Sequence, residues 1–164
     1  MENYLQLLEI LAFFSGYPLI YLLVKYLNQF RGIQRFTKQA LLVLPFVYGF
    51  IGIFFLGLQL KTLSITLDLA HFQHPYLVIW GIISIVFLFP IFSKQPSFSL
   101  FHSLIFLFVL ISKFFFKSTS LEEKSQVISN YMNIYTISIA LNLVLLILVM
   151  AVSFLLKKIK YRSA

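Results

Sequence analysis

The sequence predicts an all-α, polytopic integral membrane protein, a single helical bundle of about five transmembrane helices that occupies residues 1–164. Apolar stretches fill most of the chain, 60% of the residues are hydrophobic and only 11% are charged, whereas about 25% are charged in an ordinary soluble domain. The stretches cover roughly residues 5–27, 40–60, 76–92, 98–116 and 133–156. A helix needs about 20 apolar residues to cross about 30 Å of hydrocarbon, and only the third stretch is marginal.

The basic residues predict how the bundle is oriented in a cell membrane or inner membrane. Counting from five alternating spans, nine Lys and Arg residues fall on one side and four on the other. The positive-inside rule then places the N-terminus outside and the C-terminus in the cytoplasm. We expect the basic groups beside the spans to contact lipid headgroups, which explains a net charge of +8 without nucleic acid. They are Arg31, Arg35, Lys38, Lys157, Lys158, Lys160 and Arg162.

The first span contains Gly16, Tyr17 and Pro18 near its middle. Because proline lacks a backbone N–H and clashes with the preceding turn, Pro18 predicts a helix kink. The stretch has no basic start and no small-residue cleavage site, so we interpret it as a retained helix rather than a signal peptide. In the second span, Gly49 and Gly57 lie eight residues apart and predict one face on which a neighbouring helix approaches closely.

The connection after the second span holds the closest approach to a chemical motif. Residues 62–69 alternate polar with apolar, which predicts an extended or irregular segment at the outer surface. Asp68, His71 and His74 follow one another at spacings of three. Imidazole and carboxylate groups bind divalent metals, but a zinc site needs further ligands, so this is a weak metal candidate beside the simpler interpretation as a hydrated loop.

The third and fourth spans predict a tight hairpin, because only residues 93–97 separate them. Because the third span is short, the alternative is that the third and fourth stretches form a re-entrant hairpin, which enters and leaves the membrane on the same side. Trp80 and Tyr76 are placed at the outer interface, where aromatic side chains are enriched. His102 is placed about one turn inside the cytoplasmic boundary, with Ser99 and Ser103 beside it, and is a candidate for a proton or substrate role.

The last span carries a polar stripe. Ser120 followed by Glu123 matches a helix capping box, and the absence of Gly and Pro predicts one helix from Leu121 through Leu156. Tyr131, Tyr135, Ser138 and Asn142 recur at spacings of three and four, so they share one face. An unpartnered amide in hydrocarbon costs several kcal/mol, so Asn142 is expected to contact another helix or line a cavity.

These observations favour a small non-catalytic protein, an accessory or structural subunit of a membrane assembly. No cofactor is predicted, and the expected partners are the lipid bilayer, other membrane subunits or further copies of the chain. A small oligomeric channel or carrier is the second hypothesis. A membrane enzyme that acts on lipids at the outer surface is the third, and it requires Glu9, Asp68, His71 and His74 to converge.

Overall fold

Helices make up 92% of the chain, and no strand occurs in the part that is described, so the predicted all-α class is confirmed. The computed structural model describes residues 2–66, 75–93, 96–116 and 121–162, and the side chains of residues 8–61, 76–89, 91–92, 96–112 and 129–156. The helices are α1 Glu2–Phe14, α2 Tyr17–Leu27, α3 Gln34–Thr66, α4 Pro75–Ile85, α5 Pro90–Ser93, α6 Pro96–Phe116 and α7 Leu121–Arg162. A short 3-10 helix, Val86–Leu88, lies between α4 and α5.

Among the described residues, three segments are long and apolar enough to cross a membrane, judged by length and composition. They are Leu8–Leu27, Gln34–Lys61 and Ser129–Leu156, which correspond to the first, second and last predicted spans. The last belongs to the single long helix predicted from the absence of Gly and Pro, and α7 begins at Leu121 as expected.

Among the residues whose side chains are described, the two remaining apolar stretches contribute shorter helical segments, Tyr76–Leu88 and Pro96–Ser112. The 11 residues of α4 and three of the 3-10 helix are together about 22 Å long at standard rises. Phe89 is then extended, with φ −75° and ψ 139°, because the ring of Pro90 disfavours helical backbone in the residue before it. The third stretch is therefore interrupted and shorter than the hydrocarbon layer.

Helix α3 lies at the centre of the bundle and contacts every other helix. Its inner face carries Leu44, Val47, Tyr48, Ile51 and Phe55, all fully buried. These residues recur at spacings of three and four, so one stripe of the helix faces the core.

Two local expectations for α3 were wrong. Of residues 62–69, which were predicted to be extended or irregular, residues 62–66 continue the helix, and residues 67–69 lie outside the described part. Residues 62–66 contain no Gly or Pro that would stop a helix already formed from Gln34 onward. The close-packed face also differs from the predicted one, since no atom of the described residues lies within 4 Å of a Cβ built on Gly57. Gly49 and Gly52 instead face α4 and the 3-10 helix, through Leu88 and Ser84.

The distribution of polar side chains is inverted relative to that of a water-soluble protein. Buried side chains include Ser15, Ser84, Ser99, Ser138 and Asn142, each with no exposed surface. Large apolar side chains are meanwhile exposed on all the long helices; examples are Leu42, Phe101, Phe108, Ile147 and Leu155. Exposed apolar area on this scale is typical of a surface that faces lipid or another protein.

Candidate functional site

The first buried polar group joins the break between α1 and α2 to the middle of α7. The helix stops at Phe14 and restarts at Tyr17, and Pro18 lies in the first turn of α2, where a missing N–H is tolerated. The Gly16 N–H donates to Ser138 Oγ over 2.8 Å. A Cβ on Gly16 would lie 2.6 Å from the carbonyl carbon of Ser138. The two backbones therefore approach more closely than any other residue type allows at this position.

Asn142 completes this contact, which we call the helix-break clamp (Phe13, Gly16, Ser138 and Asn142). Its Nδ2 donates to the Phe13 carbonyl over 2.9 Å and to the Ser138 carbonyl over 2.7 Å. Both acceptors are carbonyl oxygens, so the side-chain orientation is fixed by the hydrogen bonds. The Phe13 carbonyl is one of those that the helix break leaves without a helical partner. The clamp thus satisfies polar groups that a break in a membrane helix exposes.

A second polar group surrounds His102, and we call it the histidine cluster (Tyr17, Tyr48, Trp80, Ser99 and His102). Tyr48 OH and His102 Nδ1 lie 2.6 Å apart. Tyr17 OH lies 2.7 Å from Ser99 Oγ, and Ser99 Oγ donates to the Pro96 carbonyl. Because the Ser99 hydrogen is used in that bond, Tyr17 donates to Ser99. The cluster connects α2, α3, α4 and α6.

The ring of Trp80 stacks on the imidazole of His102, with centroids 4.4 Å apart and planes at 20°. Trp80 also meets Phe106 edge to face at 5.5 Å. Trp80 was predicted at the outer interface and His102 near the cytoplasmic one, and residues stacked on each other do not occupy opposite membrane surfaces. The two predicted depths are therefore incompatible with each other.

An open pocket of about 410 Å³ lies beside the histidine cluster, between the α4–α5 region and α6. Its lining consists of Trp80, Ile83, Val86, Phe87, Phe92, Phe98, Phe101, His102 and Ile105. Two of the buried nitrogens there, His102 Nε2 and Trp80 Nε1, have no hydrogen-bond partner among the described residues. A second groove of about 470 Å³ lies between α2, α3 and α7, and its lining is apolar apart from Thr37.

The other residues predicted to be important fall in several places. Tyr131 is buried and Tyr135 is partly buried against the core, so both lie on the same side of α7 as Ser138 and Asn142. Glu9 accepts a 2.7 Å hydrogen bond from Gln59, which joins α1 to α3. Asp68, His71 and His74 lie outside the described residues.

Of the residues predicted to contact lipid headgroups, some have described side chains and others do not. Arg31, Arg35 and Lys38 are exposed around the connection between α2 and α3. Lys157, Lys158, Lys160 and Arg162 belong to the helical backbone at the end of α7, and their side chains lie outside the described set.

The chemistry available to the described side chains is limited. No group of three His, Cys, Asp or Glu side chains that could hold a metal occurs in the described part of the chain. Among the described residues, the His102 ring makes a hydrogen bond with Tyr48 and ring contacts with Trp80 and Phe87. These contacts fix the position of the imidazole by hydrogen bonding and stacking.

Sequence reasoning missed Gly16, Tyr17, Tyr48 and Trp80 as members of these groups. Gly16 could have been predicted as a contact from the sequence, because glycine in a membrane helix often marks a close approach of a neighbouring helix. The pairing of Tyr48 with His102 depends on packing between α3 and α6, and residue spacing contains no information about it. No family model, curated protein or solved structure matches this chain.

Proposed function

We propose that the chain is a multi-pass integral membrane protein whose role is structural: an accessory subunit that contributes a preformed helical bundle to a larger membrane assembly. The observation that carries the proposal is the small fraction of α7 that is buried within the chain. Only 22% of the most apolar part of Ser129–Leu156 is buried within the chain, against 56% and 50% for the first two candidate spans. One face of α7 holds the clamp, and the rest is available to lipid or a partner helix.

The length of α7 supports the same role. Its 42 residues extend about 63 Å at 1.5 Å per residue, roughly twice the hydrocarbon thickness. A helix of this length reaches well beyond one membrane surface. The exposed side of its apolar part includes Ala140, Leu143, Val144, Ile147 and Leu148, at spacings that form a continuous stripe. Such a stripe, with a small residue in it, suits packing against another membrane helix.

The topology that accompanies this proposal has five membrane passages, the N-terminus outside and the C-terminus in the cytoplasm. The 21 residues of α6 are about 31 Å long, enough for a passage. Its partner, the α4–α5 region, is interrupted, so a re-entrant α4–α6 hairpin is the competing arrangement. Both arrangements have an odd number of passages and keep the termini on opposite sides.

The polar interior favours a structural role over a conduit. The Ser138 hydroxyl and Asn142 Nδ2 of the clamp bond to other protein groups, whereas Asn142 Oδ1 is buried without a partner among the described residues. The two cavities described above, and a third of about 550 Å³ beside Phe13, Gly57 and Leu141, are lined mainly by apolar side chains. A water-filled path needs polar groups along its wall, so a channel or carrier gains less support from this arrangement.

The test is recovery of the tagged protein from its native membrane in mild detergent, followed by mass spectrometry and sizing. We expect larger membrane proteins in fixed stoichiometry. Ala140→Trp, on the exposed stripe of α7, should release them. Phe108→Trp is the matched control, because Phe108 is 71% exposed on α6. A monomer, a homo-oligomer free of partners, or equal release by both variants would contradict the proposal.

A further inference from the structure

The apolar groove between α2, α3 and α7 has a volume of about 470 Å³, within the range of ligand sites. Its lining on α7 runs from Leu143 to Phe154, about 16 Å at 1.5 Å per residue. Half of the hydrocarbon layer is about 15 Å thick, so the groove is about as long as an acyl chain in one leaflet. Leu23, Ile147 and Phe154 of the lining remain 51%, 59% and 49% exposed. The groove is therefore open to the surroundings of the bundle.

One end of the groove is bordered by the connection between α2 and α3. Helix α2 leaves the helix-break clamp at Gly16 and α7 leaves it at Ser138, and both helices line the groove further along the chain. They therefore run in the same direction, which places Leu27 and Phe154 at the same end. Ile33, the last residue before α3, also belongs to the lining. The connection between α2 and α3 thus lies at the Phe154 end.

Arg31 lies in this connection, which hydrogen bonds hold in place. Thr37 Oγ1 donates to Asn28 Oδ1 over 2.9 Å and so joins the end of α2 to the first turn of α3. The Ile33 N–H donates to the Phe30 carbonyl over 3.2 Å, which closes a turn around Arg31. The backbone of Arg31 is therefore fixed two residues from the groove lining, and its side chain is exposed.

Further positive charge collects at this end of the groove. Arg35 is exposed and directly precedes Phe36, which belongs to the lining. The backbone of α7 continues past Phe154 as a helix through Arg162, and four of its last six positions are Lys or Arg. Basic positions of two separate elements therefore border the same end of one apolar groove.

Within the described part of the chain, no acidic side chain compensates this charge. Residues 10–67 and 124–164, which supply α2, α3 and nearly all of α7, contain no Asp or Glu. Glu9 is the one acidic residue whose side chain is described. It lies on α1 before the clamp and bonds to Gln59. An anionic group from outside the chain is therefore the electrostatic complement of this end of the groove.

We propose that the groove binds one molecule of an anionic phospholipid, with an acyl chain between α2, α3 and α7 and the phosphate beside Arg31 and Arg35. Long arginine side chains reach headgroup level while their stems cover apolar surface, and a guanidinium group matches the geometry of a phosphate. The site rests on the membrane location proposed above, but it does not depend on a partner subunit.

The experiment is native mass spectrometry of the full-length protein in mild detergent, which counts the lipids that remain bound. One series adds dioleoyl phosphatidylglycerol and a second adds dioleoyl phosphatidylcholine, which has the same acyl chains but no net charge. We expect one saturable phosphatidylglycerol molecule, bound roughly tenfold or more tightly than phosphatidylcholine, since two arginines lie beside its phosphate. Dihexanoyl phosphatidylglycerol, whose chains are too short to fill the groove, should bind more weakly than the dioleoyl form.

Two pairs of variants test the groove and its basic end. Ala151→Trp fills the groove and should weaken phosphatidylglycerol binding about tenfold or more, as expected when a packed acyl chain is displaced. Ala140→Trp is the matched control, exposed on the same helix outside the lining, and should bind normally. Arg31→Gln should weaken binding about fivefold, the equivalent of one headgroup charge. Lys61→Gln removes the same charge toward the other end of α3 and should leave binding unchanged.

The proposal is overturned if phosphatidylglycerol binds no more tightly than phosphatidylcholine or its short-chain form, or if Ala151→Trp binds it as tightly as the natural chain. It is also overturned if Lys61→Gln weakens binding as much as Arg31→Gln, because net charge alone would then explain the effect. Flotation of the natural chain with phosphatidylcholine vesicles tests the membrane location separately. Thermal unfolding of each variant in the same detergent shows whether a loss of binding reflects a loss of fold.

Discussion

At the scale of single residues, the helix-break clamp depends on one missing side chain and one hydroxyl. A Cβ on Gly16 would lie 2.5 Å from the Ile139 backbone nitrogen, far inside van der Waals contact. Backbone atoms of a helix move little, so a side chain there separates α7 from the α1–α2 break. Ser138 supplies the acceptor for a peptide N–H that the break leaves without a helical partner.

Gly16→Ala should therefore lower the free energy of unfolding by about 1–3 kcal/mol, the usual cost of overpacking a close contact. The measurement is equilibrium unfolding in mixed micelles. Gly57→Ala is the matched control, because no described atom lies within 4 Å of a Cβ at that position, and it should raise stability by about 0.5–1 kcal/mol through the better helix propensity of alanine. Equal losses in the two variants would show that Gly16 is not a packing site.

The hydroxyl is tested by two serines on the same helix. Ser138 Oγ accepts from Gly16 on another element, whereas Ser153 Oγ donates to the Val149 carbonyl of its own helix over 2.8 Å. Ser138→Ala should destabilise the protein by about 1 kcal/mol, since an N–H loses its acceptor. Ser153→Ala should be close to neutral in the same unfolding assay. The reverse order would exclude the clamp as a stabilising contact.

At the scale of helices, the position of α4 is set by a contact surface with α3 made from small residues. A Cβ on Gly52 would overlap Ser84 Oγ and lie 3.0 Å from the Gly81 carbonyl oxygen. A Cβ on Gly81 would in turn lie 2.7 Å from the Phe55 ring. Small residues on both helices thus allow close approach, as in other membrane helix pairs. This contact holds Trp80 against His102.

Gly52→Val should move α4 away from α3 and expose the environment of Trp80. We expect Trp80 emission to shift to longer wavelength, because more polar surroundings stabilise the excited indole, while helix content in circular dichroism is retained. Gly57→Val, one and a half turns further along α3, should leave the emission unchanged. An unchanged spectrum in Gly52→Val would mean that the contact between α3 and α4 does not set the position of Trp80.

At the scale of the whole molecule, the proposed topology is tested by counting how many times the chain crosses the membrane. The chain has no cysteine, so single-cysteine variants report one position each. With five passages, Glu2→Cys should react with an impermeant maleimide from outside, and Gly32→Cys and Ser97→Cys only from the cytoplasmic side. A re-entrant α4–α6 hairpin would leave position 97 protected from that side. Labelling of position 32 from outside would reverse the predicted orientation.

The sequence by itself determined the helical class and the three longest apolar helices, because both depend on local properties: hydropathy over about 20 residues and the absence of helix breakers. It also predicted α7, where no Gly or Pro interrupts the chain between Leu121 and Leu156. Pro18 predicted the local interruption of the first span, whereas the break before Pro90 was not predicted. The sequence did not predict which residues the polar stripe of α7 contacts.

Only the tertiary structure decided which distant residues meet. Gly16 and Ser138 are separated by 122 residues, and Tyr48 and His102 by 54. Such pairs depend on how each helix is rotated and shifted against its neighbours. No local sequence pattern encodes these two quantities. Trp80 illustrates the limit. The enrichment of aromatic residues at membrane interfaces placed it at the outer surface. The structure instead packs α4 closely on α3 through small residues and stacks Trp80 on His102, because missing side chains allow the two backbones to approach.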